Sequence, residues 1–159
     1  MKPFLQLIRV EWFVAAFCAW HAADLLQAWR HSPYDRFGWV ALLIWLLPAA
    51  RAVWRRADTA RHFKLAMTSL ALTFIGVIGD LNVLVYCGLA GIIGALAGVS
   101  GRTWLWLLLA VCWMPVFGWA CSKVHLSAHP VPVLRLIVAV LAAGLGFDRR
   151  APTPQNPAS

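Results

Sequence analysis

The chain has 159 residues and a formal net charge of +8, with 62% hydrophobic and only 13% charged residues, and its mean hydropathy is +0.72. A soluble domain of this size leaves too much surface exposed to hide that much apolar area, so a lone soluble globule is excluded and a lipid bilayer is the expected solvent. Basic residues sit at the ends of apolar runs and aromatic residues lie inside them, which is how membrane topology is written, so no nucleic-acid partner is expected.

Taken in chain order, the first apolar run covers residues 7–29. Lys2 and Arg9 precede it and Glu11 interrupts it; Phe17 is bulky where a cleavage site needs a small residue. The segment therefore reads as an uncleaved anchor. The polar turn SPYDR follows, with Pro33 stopping the helix. The second run, 37–54, carries no charge before Arg51 and holds Pro48 near its end. The third, 65–79, closes on Asp80 and Asn82; the fourth, fifth and sixth are 83–99, 103–121 and 131–147. Several are shorter than the roughly 20 residues that cross a typical bilayer core, so flanking Lys, Arg and Trp are expected to reach the interface. Runs 65–79 and 83–99 have a second reading, as a hairpin that only partly crosses. The expected fold is all-α: a polytopic transmembrane helical bundle of about six spans, with four or five as the alternative. Residues 1–147 form this single domain, and the tail DRRAPTPQNPAS, 148–159, is expected to be disordered in the cytoplasm.

Charge orients the bundle. Arg51, Arg55, Arg56, Arg61 and Lys64 face a single Asp58 in one connection, and Lys2, Arg9, Arg102, Arg149 and Arg150 fall on the same side. The opposite side holds Arg30, Arg36, Asp35 and Lys123. The richer side is expected to be cytoplasmic, which puts both termini on the cytoplasmic side of a bacterial inner membrane. Trp12, Trp54 and Trp104 then mark inner ends, Trp29, Trp39 and Trp119 outer ends, and Trp20, Trp45 and Trp113 pack between helices.

Polar groups inside apolar runs are costly and invite functional readings. His21 and Asp24 are three apart and would stack on one helix, where an acid orients a histidine for proton transfer or metal binding. The plainer reading, that they satisfy each other's polarity, is preferred. Arg135, just inside the sixth run at a depth similar to Asp24, is the expected ion-pair partner of Asp24. In CSKVHLSAHP, residues 121–130, His125 and His129 are four apart, a metal spacing if helical. No acid lies nearby and Pro130 ends any helix, so a hydrated interfacial loop is preferred. Cys18, Cys87, Cys112 and Cys121 show no CxxC spacing, and no metal or cofactor is expected. Gly88, Gly91, Gly94, Ala95 and Gly98 recur at helical spacing as a close-packing face, with Ser69, Thr73 and Gly76 doing the same in the third run.

The order of these features resembles the exosortases and archaeosortases, polytopic transpeptidases that process C-terminal sorting tags on exported proteins. AWRHSPYDRFGWVALLIWLLPAARAVWRR, Ala28 to Arg56, is similar to the family's outer Trp, SPxYSHGF turn, span and basic inner end. LALTFIGVIGDLNVLVYCGLAGIIGALAG is like its Gly-rich hairpin, and RTWLWLLLAVCWMPVFGW like the segment that ends near a Met-Pro or Ile-Pro. The resemblance covers residues 28–120. The turn lacks the family's His-Gly, Cys87-Gly88 lacks the serine of its Cys-Ser-Gly nucleophile motif, and no His follows Arg135. The chain is therefore expected to hold the non-catalytic front half. The expected function is an accessory or scaffold component of an exosortase-like protein-sorting or surface-export system, in contact with lipid and with another membrane protein. One alternative is a minimal cysteine transpeptidase using Cys121, Arg135 and His125 or His129; another is a b-type haem or quinone subunit using His21 with another histidine.

Overall fold

Proline, glycine and left-handed residues decide where the apolar runs stop. The computed structural model describes residues 10–54, 63–98 and 103–147, and every regular element among them is helical. These are α1 (Val10–His21), α2 (Leu25–His31), α3 (Gly38–Trp54), α4 (Phe63–Ile78), α5 (Asn82–Ala97), α6 (Thr103–Leu108), a 3-10 segment (Leu109–Trp113), α7 (Pro115–Lys123) and α8 (Val131–Gly146). The tail 148–159, Lys2, Arg9, Arg55, Arg56, Asp58, Arg61, Arg102, Arg149 and Arg150 lie outside the described residues.

Two runs expected to be single rods are broken. In the first, α1 stops at His21 and α2 begins after Asp24, whose carbonyl accepts the amides of Gln27 and Ala28 at 3.0 and 3.1 Å. Asp is a poor interior helix residue and a good one at a helix entrance, so the break falls where chemistry favours it. In the fifth, Pro115 forces Met114 into an extended conformation (φ −76°, ψ 149°) and then serves as the first residue of α7. The axis turns by 73° there. No single described helix is long and apolar enough to cross a membrane; the bent pair α6–α7 reaches that length and composition jointly.

Between α4 and α5 the chain turns back through Asp80, which holds a left-handed φ of 53°. Leu81 N–H reaches Gly76 O at 2.8 Å, closing the helix end in the way a glycine usually does. The small faces expected in these two runs meet each other. A Cβ on Gly88 would fall on Thr73 Oγ1, one on Gly91 would fall on Ser69 Oγ, and one on Gly76 would lie 2.8 Å from Val85 Cγ2. Ser69 and Thr73 hydroxyls donate back to Leu65 O and Ser69 O, at 2.7 and 3.0 Å, so neither brings an unmet donor into the contact. Two members of the expected face have other roles. Ala95 packs with Val14, Cys18, Ala66 and Ile92 against α1, and Gly98 is the left-handed C-cap of α5 at φ 75°. Gly94 is buried in α5.

A second group gathers α3, the 3-10 segment and α8 around three buried indoles, with α5 touching both groups. Trp45 and Trp106 stack at 4.5 Å between ring centroids and 14° between planes. Each indole N–H donates to the other residue's backbone carbonyl at 2.8 Å. A backbone carbonyl has two lone pairs, so each can accept the indole N–H beside any helical bond it makes. Trp113 tilts against Trp45 at 5.9 Å, and Trp29 donates to Trp113 O at 3.1 Å. Gly38 makes room for Trp29: a Cβ there would strike the indole. Two tryptophans depart from the expected belt. Trp20 is 80% exposed and packs between no helices, whereas Trp29, expected at an interface, is 9% exposed.

Trp45→Phe and Trp106→Phe each remove one indole donor and keep the stack. Each is expected to lower unfolding stability by about 1 kcal/mol. Trp45→Leu removes stack and bond together and should lose about 3 kcal/mol or more. Equilibrium unfolding of the purified variants measures this; a Trp45→Phe protein as stable as wild type would show that the reciprocal bonds contribute nothing.

Candidate functional site

The deepest charge in the molecule is Arg135, in the second turn of α8 and 0% exposed. One of its terminal nitrogens, Nη2, donates to Asp35 Oδ1 at 2.6 Å and to Tyr34 O at 3.3 Å. The guanidinium lies over the Phe117 ring, 5.3 Å from the centroid. Asp35 is brought inward by the turn between α2 and α3. Its amide donates to Ser32 O at 3.1 Å, its carbonyl accepts from Gly38 N at 3.0 Å, and Phe37 reverses the chain with φ 62°. Across the carboxylate stands Gly118 of α7, where a Cβ would sit 2.5 Å from Asp35 Oδ1. Without side chain at 118, α7 closes over the pair; with one, it does not.

The ion pair corrects the expectation that Arg135 meets Asp24. Asp24 Oδ2 instead accepts the Tyr86 hydroxyl at 2.6 Å. Asp24 and His21 do not share a helical face either, because α1 ends at His21. The His21 ring packs edge-on against Phe17, centroids 4.6 Å apart. In the sequence Asp35 stands only as one charge beside Arg30 and Arg36. The signal that singles it out is scarcity: the chain holds six acidic residues, and a buried arginine near the start of α8 has few to choose from.

The pairing is incomplete. Arg135 Nε and Nη1, Trp113 Nε1 and Asp24 Oδ1 are buried without a hydrogen-bond partner. A guanidinium offers five donors, and here one nitrogen carries the whole pair. The thiols of Cys112 and Cys121 lie within electrostatic reach of that guanidinium. Cys112 is 0% and Cys121 8% exposed, and Cys18 Sγ lies 3.1 Å from Thr73 Oγ1. All four cysteines are free.

His125 and His129 are both exposed and do not share a helix. α7 ends at Lys123 and His125 takes a left-handed φ of 57°, so the four-residue spacing loses its geometric meaning. Among the described residues no group of three or more His, Cys, Asp and Glu side chains is placed to hold a metal ion. The site as built can fix a turn and two helices to one another through a charge-assisted bond. No family model, curated protein or solved structure matches the chain.

Removing one member of a buried ion pair leaves the other charge unpaired, which costs about 3–5 kcal/mol, whereas removing both costs far less. Arg135→Leu and Asp35→Leu should each destabilise strongly, and the double variant should be more stable than either single one. Strict additivity in this double-mutant cycle would mean that the two side chains are not coupled. Tyr86→Phe, which strips Asp24 of its donor, should lose about 1.5–3 kcal/mol.

Proposed function

We propose that the chain is a small integral inner-membrane protein, with both termini in the cytoplasm, that acts as an accessory or scaffold in an exosortase-like protein-sorting or surface-export system and performs no chemistry of its own. One observation carries the membrane part: polarity runs inside out. Arg135 is 0% exposed and ion-paired in the interior, while Trp54, Ile78, Trp20 and Leu108 stand outward at 88%, 83%, 80% and 70% exposure. Soluble monomers rarely leave apolar patches beyond a few hundred Å² open to water. In a bilayer the same faces meet lipid, and an internal ion pair is the expected place for charge. α3, α4, α5 and α8 have 16 or 17 residues each, about 25 Å of helix, so a bilayer core of about 30 Å would thin locally around them.

The alternating topology is supported by which connections meet. The 32–37 turn, α7 and the start of α8 assemble around Arg135. The end of α3, the end of α5, the start of α6 and the end of α8 meet elsewhere, around Pro48, Gly98, Thr103 and Gly146. Six alternating crossings would bring these two groups of helix ends together at opposite faces.

The sorting-system part rests on the resemblance of residues 28–120. The reading without chemistry is supported by seclusion. A nucleophilic thiolate has to be accessible, and Cys121 is buried while Arg135 is engaged by Asp35. The transpeptidase reading has one observation in its favour, the nearness of Cys112 and Cys121 to the guanidinium. The haem or quinone reading has only His21, whose ring is occupied with Phe17.

The protein should stay with the membrane pellet after alkaline washing. A reporter fused after residue 159 should be active only inside the cytoplasm, and one inserted within 31–36 only outside it. A soluble wash fraction, or reporters with the opposite polarity, would overturn the topology. For function, Cys121→Ala should leave partner co-purification and cellular phenotype intact. Gly91→Leu should abolish both, because the added side chain drives α5 off Ser69 of α4. A folded, inserted Cys121→Ala protein that no longer supports processing would select the transpeptidase instead.

A further inference from the structure

We propose that α7 does not continue the crossing begun by α6, but lies along the outer headgroup layer of the bilayer with Lys123 against phospholipid phosphate. The proposal rests on the membrane reading above and adds an interaction surface and its partner. Length is the first argument. The six residues of α6 rise about 9 Å and the five of the 3-10 segment about 10 Å, so most of the thinned core of about 25 Å inferred from α3, α4, α5 and α8 is crossed before the bend. The chain then bends by 73°. The nine residues of α7 span about 13 Å along their own axis, but at that angle advance only about 4 Å along the axis of α6.

Depth is the second argument. α7 packs on α2 and on the start of α8, and its Gly118 and Phe117 cover Asp35 and Arg135. It therefore sits level with the connection at 32–37, as the roof of the ion pair. The third argument is the division of its faces. Gly118 and Cys121 point into the protein, while Trp119, Ala120 and Lys123 are exposed. Lys123 Nζ stands 5.7 Å from the centre of the Trp119 ring. An indole beside a lysine is the side-chain pair that favours headgroup depth, the ring at the acyl boundary and the ammonium in the polar layer.

Charge complementarity names the partner. From Leu81 to Phe147 the sequence contains no acidic residue. Asp35 is turned inward to Arg135, which leaves Arg30, Arg36 and Lys123 exposed on the outer connections, with Asp80 as the exposed acid of the α4–α5 turn. A net cationic balance on these connections fits anionic phospholipid headgroups.

The test uses the full chain in vesicles of phosphatidylcholine with or without phosphatidylglycerol. Single spin labels go on Val116→Cys, Val124→Cys, Leu108→Cys and Val140→Cys in a Cys87→Ala background, the other native thiols being buried. Power saturation with oxygen and a water-soluble nickel complex reads depth. Labels at 116 and 124 should lie within about 4 Å of the same depth, in the headgroup layer, with 108 and 140 deep in the core. A helix that continued the crossing would separate 116 from 124 by about 12 Å, and that result would overturn the proposal while leaving the membrane reading intact. All four labels in water would overturn both. In the second arm, Lys123→Ala should reduce the preference for spin-labelled phosphatidylglycerol over phosphatidylcholine by up to about fivefold. An unchanged preference, or competition by inorganic phosphate, would overturn the lipid contact.

Discussion

A single guanidinium nitrogen holds one end of this molecule together. Arg135 belongs to α8, Asp35 to the turn between α2 and α3, and Phe117 and Gly118 to α7, so one charge-assisted bond of 2.6 Å fixes the relative position of a turn and two helices. An ion in a low-dielectric interior cannot be abandoned by its partner cheaply. The pair is thus weak as net stabilisation and strong as specification: alternative packings that separate the two charges are disfavoured far more than the native one is favoured. Gly118, the bend at Pro115 and the left-handed Phe37 all serve that geometry. Each lets a backbone approach or reverse where the carboxylate has to arrive.

The opposite half of the core solves a neutral version of the same problem. Trp45 and Trp106 bring large apolar rings into the interior together with two N–H donors, and each donor finds the other's backbone. Burial and hydrogen bonding are satisfied by one contact. Each carbonyl can take the indole N–H on its second lone pair, so the helices need not open to make the contact.

How much of this was legible in the sequence follows from what kind of information each feature uses. Runs 37–54, 65–79, 83–99 and 131–147 coincide with α3, α4, α5 and α8 to within a few residues, because apolar length bounded by polar residues is a local property. The breaks in the first and fifth runs were also local, written in Asp24 and Met114-Pro115, but apolar continuity outweighed them. The Gly88 and Gly91 face was readable as spacing, and its partner, the Ser69 and Thr73 face, was readable the same way. Gly98 was not separable from that stripe, because a left-handed cap and a packing glycine look alike in one dimension. The partner of Arg135 was a tertiary choice among several carboxylates. Similar depth pointed to Asp24, and the structure chose the acid whose turn folds under Gly118. Trp106 passed unnoticed beside Trp104, since two indoles two residues apart point to different sides and only packing tells which is inside.

The separation of Asp35 and Arg135 along the chain, 100 residues, has a consequence in time. At roughly 5–20 residues per second, synthesis leaves Asp35 waiting about 5–20 s for its arginine. Trp45 waits about 3–12 s for Trp106, 61 residues later, but an indole N–H tolerates the delay better than a carboxylate does. A lone carboxylate stays where water can solvate it, so the turn at 32–37 cannot take its inward position before α8 is made. Assembly around Asp35 is thereby ordered: contacts among α3 to α5 need no residue of α8, whereas the turn at 32–37 locks on the arrival of the final helix.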